Sequence, residues 1–152
     1  MKYFEDFSPG DSMELGSHTM DEASIIQFAQ QFDPQYYHVD PERARDSIFG
    51  GLAASGWHTV GVYMRMLVDG LLNDAASLAS PGIDELRWQR PVHPGDTLRG
   101  RITVLETRPS SSRPDRGLVR TRGELFNQND ELVMSLVALN FFHRRPATEA
   151  QA

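Results

Sequence analysis

Asp33 and His38 stand five positions apart in one proline-containing segment, Phe32-Asp33-Pro34-Gln35-Tyr36-Tyr37-His38-Val39-Asp40. A carboxylate and an imidazole held near each other can divide proton abstraction and proton donation at neutral pH. A second candidate is Ser55-Gly56, which closes the small-residue run Ala53-Ala54-Ser55-Gly56. If a helix starts there, its free backbone N–H groups and positive dipole end can polarise a carbonyl oxygen. Ser55 does not fit a nucleophile elbow, which needs glycine two positions before and two after; those positions hold Ala53 and Trp57. His38-Val39-Asp40 offers two metal ligands at short spacing with no obvious third, so no metal is expected. No glycine-rich phosphate loop is present, so no nucleotide cofactor is expected. Each candidate also has a purely structural reading: Asp33 as a cap, His38 as a surface loop residue, Gly56 as a packing contact. The residues alone leave both readings open. His18, His58, His93 and His143 are scattered and read as structural.

The elements that must hold these groups follow from periodicity. Residues 13–18 read as a short strand. Thr19-Met20-Asp21-Glu22 reads as a capping box, with Ile25, Ile26, Phe28, Ala29 and Phe32 as the apolar stripe of the helix it opens. Pro34 ends that helix and leaves 33–40 as an irregular loop. A helical turn follows at Pro41–Asp46, with Asp40 as cap and proline in the first position. From about Ala53 to Leu72 the chain is apolar around most of a helical circumference and predicts a buried central helix. Strands are expected at 83–92, 97–108, 118–127 and 132–144. Along 118–126, Val119, Thr121 and Leu125 alternate with Arg120, Arg122 and Glu124, so one face is wet. Short links between the strands favour an antiparallel sheet, and the fold class is α+β with the long helix across the sheet. The near-continuous apolar run 132–142 exceeds what one sheet face hides, so a homodimer is expected.

The chain has 152 residues, 39% hydrophobic and 24% charged, which suits one globular domain with one core. Residues 1–146 are assigned to that domain and 147–152 to a flexible tail. There is no cysteine, which excludes disulfides, thiolate metal sites and cysteine nucleophiles. The net charge of −6 argues against nucleic acid or an anionic membrane surface as a partner. The charge is uneven: residues 1–50 carry −7, residues 84–152 carry +2, and fourteen of the fifteen basic residues are arginine. Arginine forks suit phosphate, and Arg87, Arg90 and Arg99 flank the Pro94-Gly95-Asp96 turn. The N-terminus lacks the pattern of a signal peptide and no run reaches membrane-spanning length, so a soluble, cytoplasmic protein is expected.

Three segments taken together, 32–40, Phe49-Gly50-Gly51-Leu52-Ala53-Ala54-Ser55-Gly56-Trp57-His58-Thr59 and Pro91-Val92-His93-Pro94-Gly95-Asp96, resemble the MaoC-like dehydratases, relatives of the (R)-specific enoyl-CoA hydratases. The resemblance runs from about Phe4 to Arg145. It implies a single hot-dog domain, an antiparallel sheet wrapped around a long central helix, paired into dimers. It further implies a 2-enoyl or 3-hydroxyacyl thioester of coenzyme A or acyl carrier protein as substrate, to which water is added or from which it is removed. The resemblance makes Asp33 and His38 the residues that hold and deprotonate the water. It makes Gly56 the backbone N–H facing the thioester oxygen. Ser55, Tyr37 and Trp57 become substrate contacts, with Arg87, Arg90 and Arg99 toward the phosphates. The chain departs from the family in placing Pro34-Gln35 directly after the aspartate, Tyr36-Tyr37 before the histidine, and serine where histidine precedes the glycine. Two other readings follow on the same fold: thioester hydrolysis by water aimed at the carbonyl carbon, and a non-catalytic acyl-thioester binder.

Overall fold

Asp21, and not Thr19, caps the first helix. Its carboxylate accepts from the Ser24 N–H at 2.9 Å and from the Ser24 hydroxyl at 2.7 Å. Thr19 stays in the strand, its hydroxyl bonded to that of Thr97 on the neighbouring strand. The computed structural model describes residues 1–148, and the expected tail at 147–152 lies largely outside these. After a 3₁₀ turn at Phe4–Asp6 come β1 (Ser12–Thr19), α1 (Glu22–Phe32), α2 (Tyr36–Val39), α3 (Pro41–Ala44) and α4 (Gly56–Gly70). A second 3₁₀ turn at Leu72–Asp74 precedes β2 (Gly82–Trp88), β3 (Thr97–Pro109), β4 (Arg116–Phe126) and β5 (Leu132–His143). The segment expected to be irregular thus contains one turn of helix, α2. Pro34 forces the break after α1, and the chain resumes helix only at Tyr36.

The five strands form one antiparallel sheet in the order β1-β3-β4-β5-β2. The helix α4 lies against its inner face, burying Thr59, Val62, Tyr63, Met66 and Leu67. Two glycines of the sheet allow that approach. A methyl group on Gly123 would sit 2.3 Å from the Tyr63 ring, and one on Gly100 would sit 2.8 Å from Met66 Sδ. Val119, Thr121 and Leu125 of β4 face this core, as their alternation requires.

α4 begins three residues later than its apolar pattern, because the backbone upstream is committed elsewhere. The Ala53 N–H bonds the Tyr37 carbonyl at 3.0 Å and the Ala54 N–H bonds the Val92 carbonyl at 2.8 Å. Those bonds make Leu52–Ala54 an extended strap between the 33–40 segment and the 91–96 turn. The β5 strand also corrects the simple expectation. Met134, Leu136, Ala138 and Phe142 are buried, and so are Val133 and Val137, all within one chain. Uncovered apolar surface on and beside the edge strand β2 comprises Ile83, Trp88 and, at the start of α4, Trp57, each about half exposed or more; Phe32 at the end of α1 and Ile48 are exposed as well. Among the described residues no helix is long and apolar enough to cross a membrane.

Candidate active site

Asp33 is the residue that ends α1, its N–H still bonded to the Ala29 carbonyl at 2.8 Å, so the helix end fixes where its carboxylate stands. One carboxylate oxygen, Oδ1, accepts from Gln35 Nε2 at 2.7 Å. Gln35 Oε1 in turn accepts from the Tyr37 hydroxyl, so Tyr37, Gln35 and Asp33 form a short chain of hydrogen bonds. His38, on α2, is 5% exposed. Its Nδ1 lies 2.6 Å from the Ala53 carbonyl. A carbonyl only accepts, so Nδ1 carries the proton, and in the neutral form of the ring Nε2 is the bare nitrogen. That Nε2 lies 3.4 Å from Asp33 Oδ2. The ring is held on its faces and edges as well, by Tyr37 edge-on at 4.6 Å between centroids and by Phe49 stacked at 6.2 Å.

The strap delivers the chain directly into α4, whose first N–H groups, those of Gly56 and Trp57, have no intrahelical acceptor. Trp88 lies on Gly56. Its indole Nε1–H donates to the Gly56 carbonyl at 3.0 Å, and a methyl group added to Gly56 would stand 2.4 Å from the indole ring. Gly56 is therefore the only residue type that admits Trp88 in this position without a shift. These groups share one cavity of about 330 Å³, whose walls include Asp33, Tyr37, His38, Phe49, Gly56, Trp57, Thr59, Trp88, Arg90 and Val92.

The sequence-derived candidates fall into three groups. Asp33, His38, Tyr37, Gly56 and Trp57 converge on the cavity. Ser55 is fully buried, its hydroxyl has no hydrogen-bond partner among the described residues, and it is not part of the cavity wall. Of the arginines, Arg90 reaches the cavity rim, where it pairs with Glu131 at 2.9 Å. Arg99 is turned away, holding Glu14 at 3.2 Å and Asp130 at 3.1 Å, and Arg87 lies on the outer face of β2 near Arg122. Sequence reasoning missed Gln35, Phe49 and Trp88. Gln35 carried a legible signal, an amide two residues from the aspartate; Trp88 comes from the far strand β2 and carried none. A second cavity of about 190 Å³, lined by Leu67, Leu71, Ile102 and Phe142 among others, sits at the opposite end of α4 and contains none of these groups.

A five-stranded antiparallel sheet around one long helix, with a carboxylate, an imidazole and a helix-start glycine gathered at the helix N-terminus, defines a hot-dog domain carrying a polar site. The chain belongs to the MaoC-like domain family, whose pattern matches residues 6–122. It is similar to a MaoC-like dehydratase of known structure from Rhodospirillum rubrum, 44% identical with a TM-score of 0.89, covering 96% of this chain and 99% of that one. It is also similar to protein MaoC of Klebsiella aerogenes, 36% identical over 67% of this chain and 30% of that protein. The mesaconyl-CoA hydratase of Cereibacter sphaeroides is 42% identical over 50% of this chain and 21% of that protein. The chain therefore spans less than a third of those two relatives.

Proposed function

We propose that this protein adds water to a 2-enoyl thioester, or removes it from a 3-hydroxyacyl thioester, of coenzyme A or acyl carrier protein. One observation carries the reading. The Ala53 carbonyl holds the proton on His38 Nδ1, so a bare Nε2 and the Asp33 carboxylate face the same point from 3.4 Å apart. Two acceptors so placed bind the two hydrogens of one water and leave its oxygen lone pair free to attack. In hydration the water oxygen bonds C3 of the enoyl group as the Asp33/His38 pair takes one of its protons. The electron pair of the C2–C3 bond moves toward the thioester oxygen. The pair then returns a proton to C2, so one water is added and no electrons are exchanged. The thioester oxygen, negative in between, lies at the Gly56 N–H and the positive end of the α4 dipole, where pre-placed donors lower the barrier. Dehydration is the same path reversed. Membership of the MaoC-like family and the likeness to a mesaconyl-CoA hydratase support the reaction class.

Tyr37, Phe49, Trp57 and Trp88 supply an aromatic wall for the acyl and pantetheine portions, and the phosphates are assigned to Arg90, which lines the cavity beside its partner Glu131. A second copy of the chain covers the uncovered apolar surface at β2 and Trp57, giving a homodimer burying at least about 1,000 Å². Crotonyl-CoA decides among the chemistries: loss of enone absorbance without release of thiol supports hydration. Thiol release would instead mean hydrolysis, and neither change would mean a binder.

A further inference from the structure

His93 belongs to none of the catalytic groups, yet it is tied to the site as closely as His38. Two consecutive carbonyls of the strap each accept from a histidine: Ala53 O from His38 Nδ1 at 2.6 Å and Leu52 O from His93 Nδ1 at 2.8 Å. The strap's N–H groups divide in the same way, Ala53 toward Tyr37 and Ala54 toward Val92. The strap is thus pinned on one side to the loop of the pair and on the other to the 91–96 turn. The same turn also holds the entry to α1. Gly95 N–H bonds the Met20 carbonyl at 2.7 Å and Met20 N–H bonds the Asp96 carbonyl at 2.8 Å. The Asp96 carboxylate closes the turn on the His93 N–H at 2.9 Å and on Gln128 at 3.0 Å. Asp33 hangs from α1, while His38 and Gly56 hang from the strap, so the 3.4 Å spacing of the pair is referred to one turn.

We propose that His93 is a positioning residue. By donating Nδ1–H to the Leu52 carbonyl it sets the strap, and through it the His38 ring and the first N–H of α4, against the Asp33 carboxylate. Its Nδ1 must carry the proton, because its partner is a carbonyl. Without that donor the carbonyl of Leu52, itself a buried residue, loses its bond and the strap moves to satisfy it. A shift of well under an ångström at a reacting pair costs rate, not affinity.

The test begins with the unaltered protein. Long-range ¹H–¹⁵N spectra are expected to show His93 protonated on Nδ1; an Nε2–H tautomer overturns the proposal. Two variants of equal size then separate donor from shape. His93→Asn keeps an N–H toward Leu52 and is expected to hold kcat for crotonyl-CoA within about threefold of the parent. His93→Asp places an acceptor against a carbonyl and is expected to lower kcat roughly tenfold or more with KM little changed. The downfield Nδ1 proton of His38 should stay in place in the asparagine variant and move in the aspartate variant. Equal kcat in the two variants, or an unmoved His38 proton in the aspartate variant, refutes the role. If the aspartate variant does not fold, His93→Leu replaces it, and the tautomer measurement decides in any case. The kcat arm rests on the hydratase reading. An inactive parent protein refutes that reading and leaves the spectroscopic arms to judge His93.

Discussion

The loop of Asp33 and His38 and the arginine-bearing sheet face are the two regions to which the sequence assigns chemistry, and they are built in opposite ways. His38 is buried, its Nδ1 committed to a backbone carbonyl and its ring confined by Tyr37 and Phe49. The arginines are partly buried and spend their forks on carboxylates, exposed ones for Arg99 (Glu14 and Asp130) and Arg116 (Asp115) and a mostly buried one for Arg101 (Glu124). An exposed pair of that kind contributes about 0–1 kcal/mol and rearranges easily. A buried ring with fixed hydrogen bonds does not rearrange without cost. The reactive imidazole is therefore held by a backbone carbonyl and the carboxylate by the Gln35 amide, whereas charges on the sheet face are held by one another.

Substitutions in the first region should be the most costly. Asp33→Asn is expected to lower turnover by roughly 10²–10⁴-fold with a nearly unchanged Tm, since the amide can still accept from Gln35. His38→Ala should lose as much activity and also some stability, because it empties a buried site and frees the Ala53 carbonyl. Full activity in both variants on a confirmed substrate would erase the distinction between the regions. Next in size is Gly56→Ala. The new methyl group collides with Trp88, and the expected loss is about 1–3 kcal/mol in chemical denaturation, partly restored in a Gly56→Ala, Trp88→Leu double variant. Additive losses in the double variant would mean that the contact is not the cause.

The arginine face should respond weakly and selectively. Arg90→Ala is expected to raise KM for a CoA thioester a few-fold at low salt, and less for the pantetheine analogue that lacks the nucleotide phosphates, while Arg99→Ala leaves both unchanged. Equal responses of the two substrates to Arg90→Ala would remove phosphate from its role. The smallest effect expected is electrostatic. Burial, then the nearby His18, holds the His58 pKa below its ordinary value, and its Nδ1 has no hydrogen-bond partner among the described residues. In the unfolded chain the ring regains its ordinary pKa of about 6.5, so between that value and the lower folded one the unfolded state binds more protons. Stability conferred by a neutral His58 is complete above that pH and is lost as the pH falls. Thermal melts should drop by a few degrees at most between pH 7.5 and 5.5, and less in His58→Leu. An identical pH dependence in that variant would place the cause elsewhere.

Much of this contrast was legible in the residues. The helix at α1, the cap at Asp40, the last three strands and the alternation of β4 follow from local rules, because each depends on neighbours within a few positions, whereas β2 stops at Trp88, four residues before its expected end. The same rules misplaced the cap of α1 by two residues and the start of α4 by three. In both cases a distant partner decided: Thr97 claimed the Thr19 hydroxyl, and Tyr37 and Val92 claimed the strap's N–H groups.

Composition and spacing by themselves determined that one acidic, cysteine-free α+β domain carries a carboxylate and an imidazole in one loop ahead of a small-residue helix start. Tertiary structure alone decided that His38 turns Nδ1 to Ala53, that Trp88 from β2 roofs Gly56, that Ser55 is hidden, and that only Arg90 of three expected arginines meets the cavity. The reason is range. Periodicity and capping are settled by the nearest few residues, whereas the proton on a ring nitrogen is settled by whichever acceptor folding brings to it, here a carbonyl fifteen residues away.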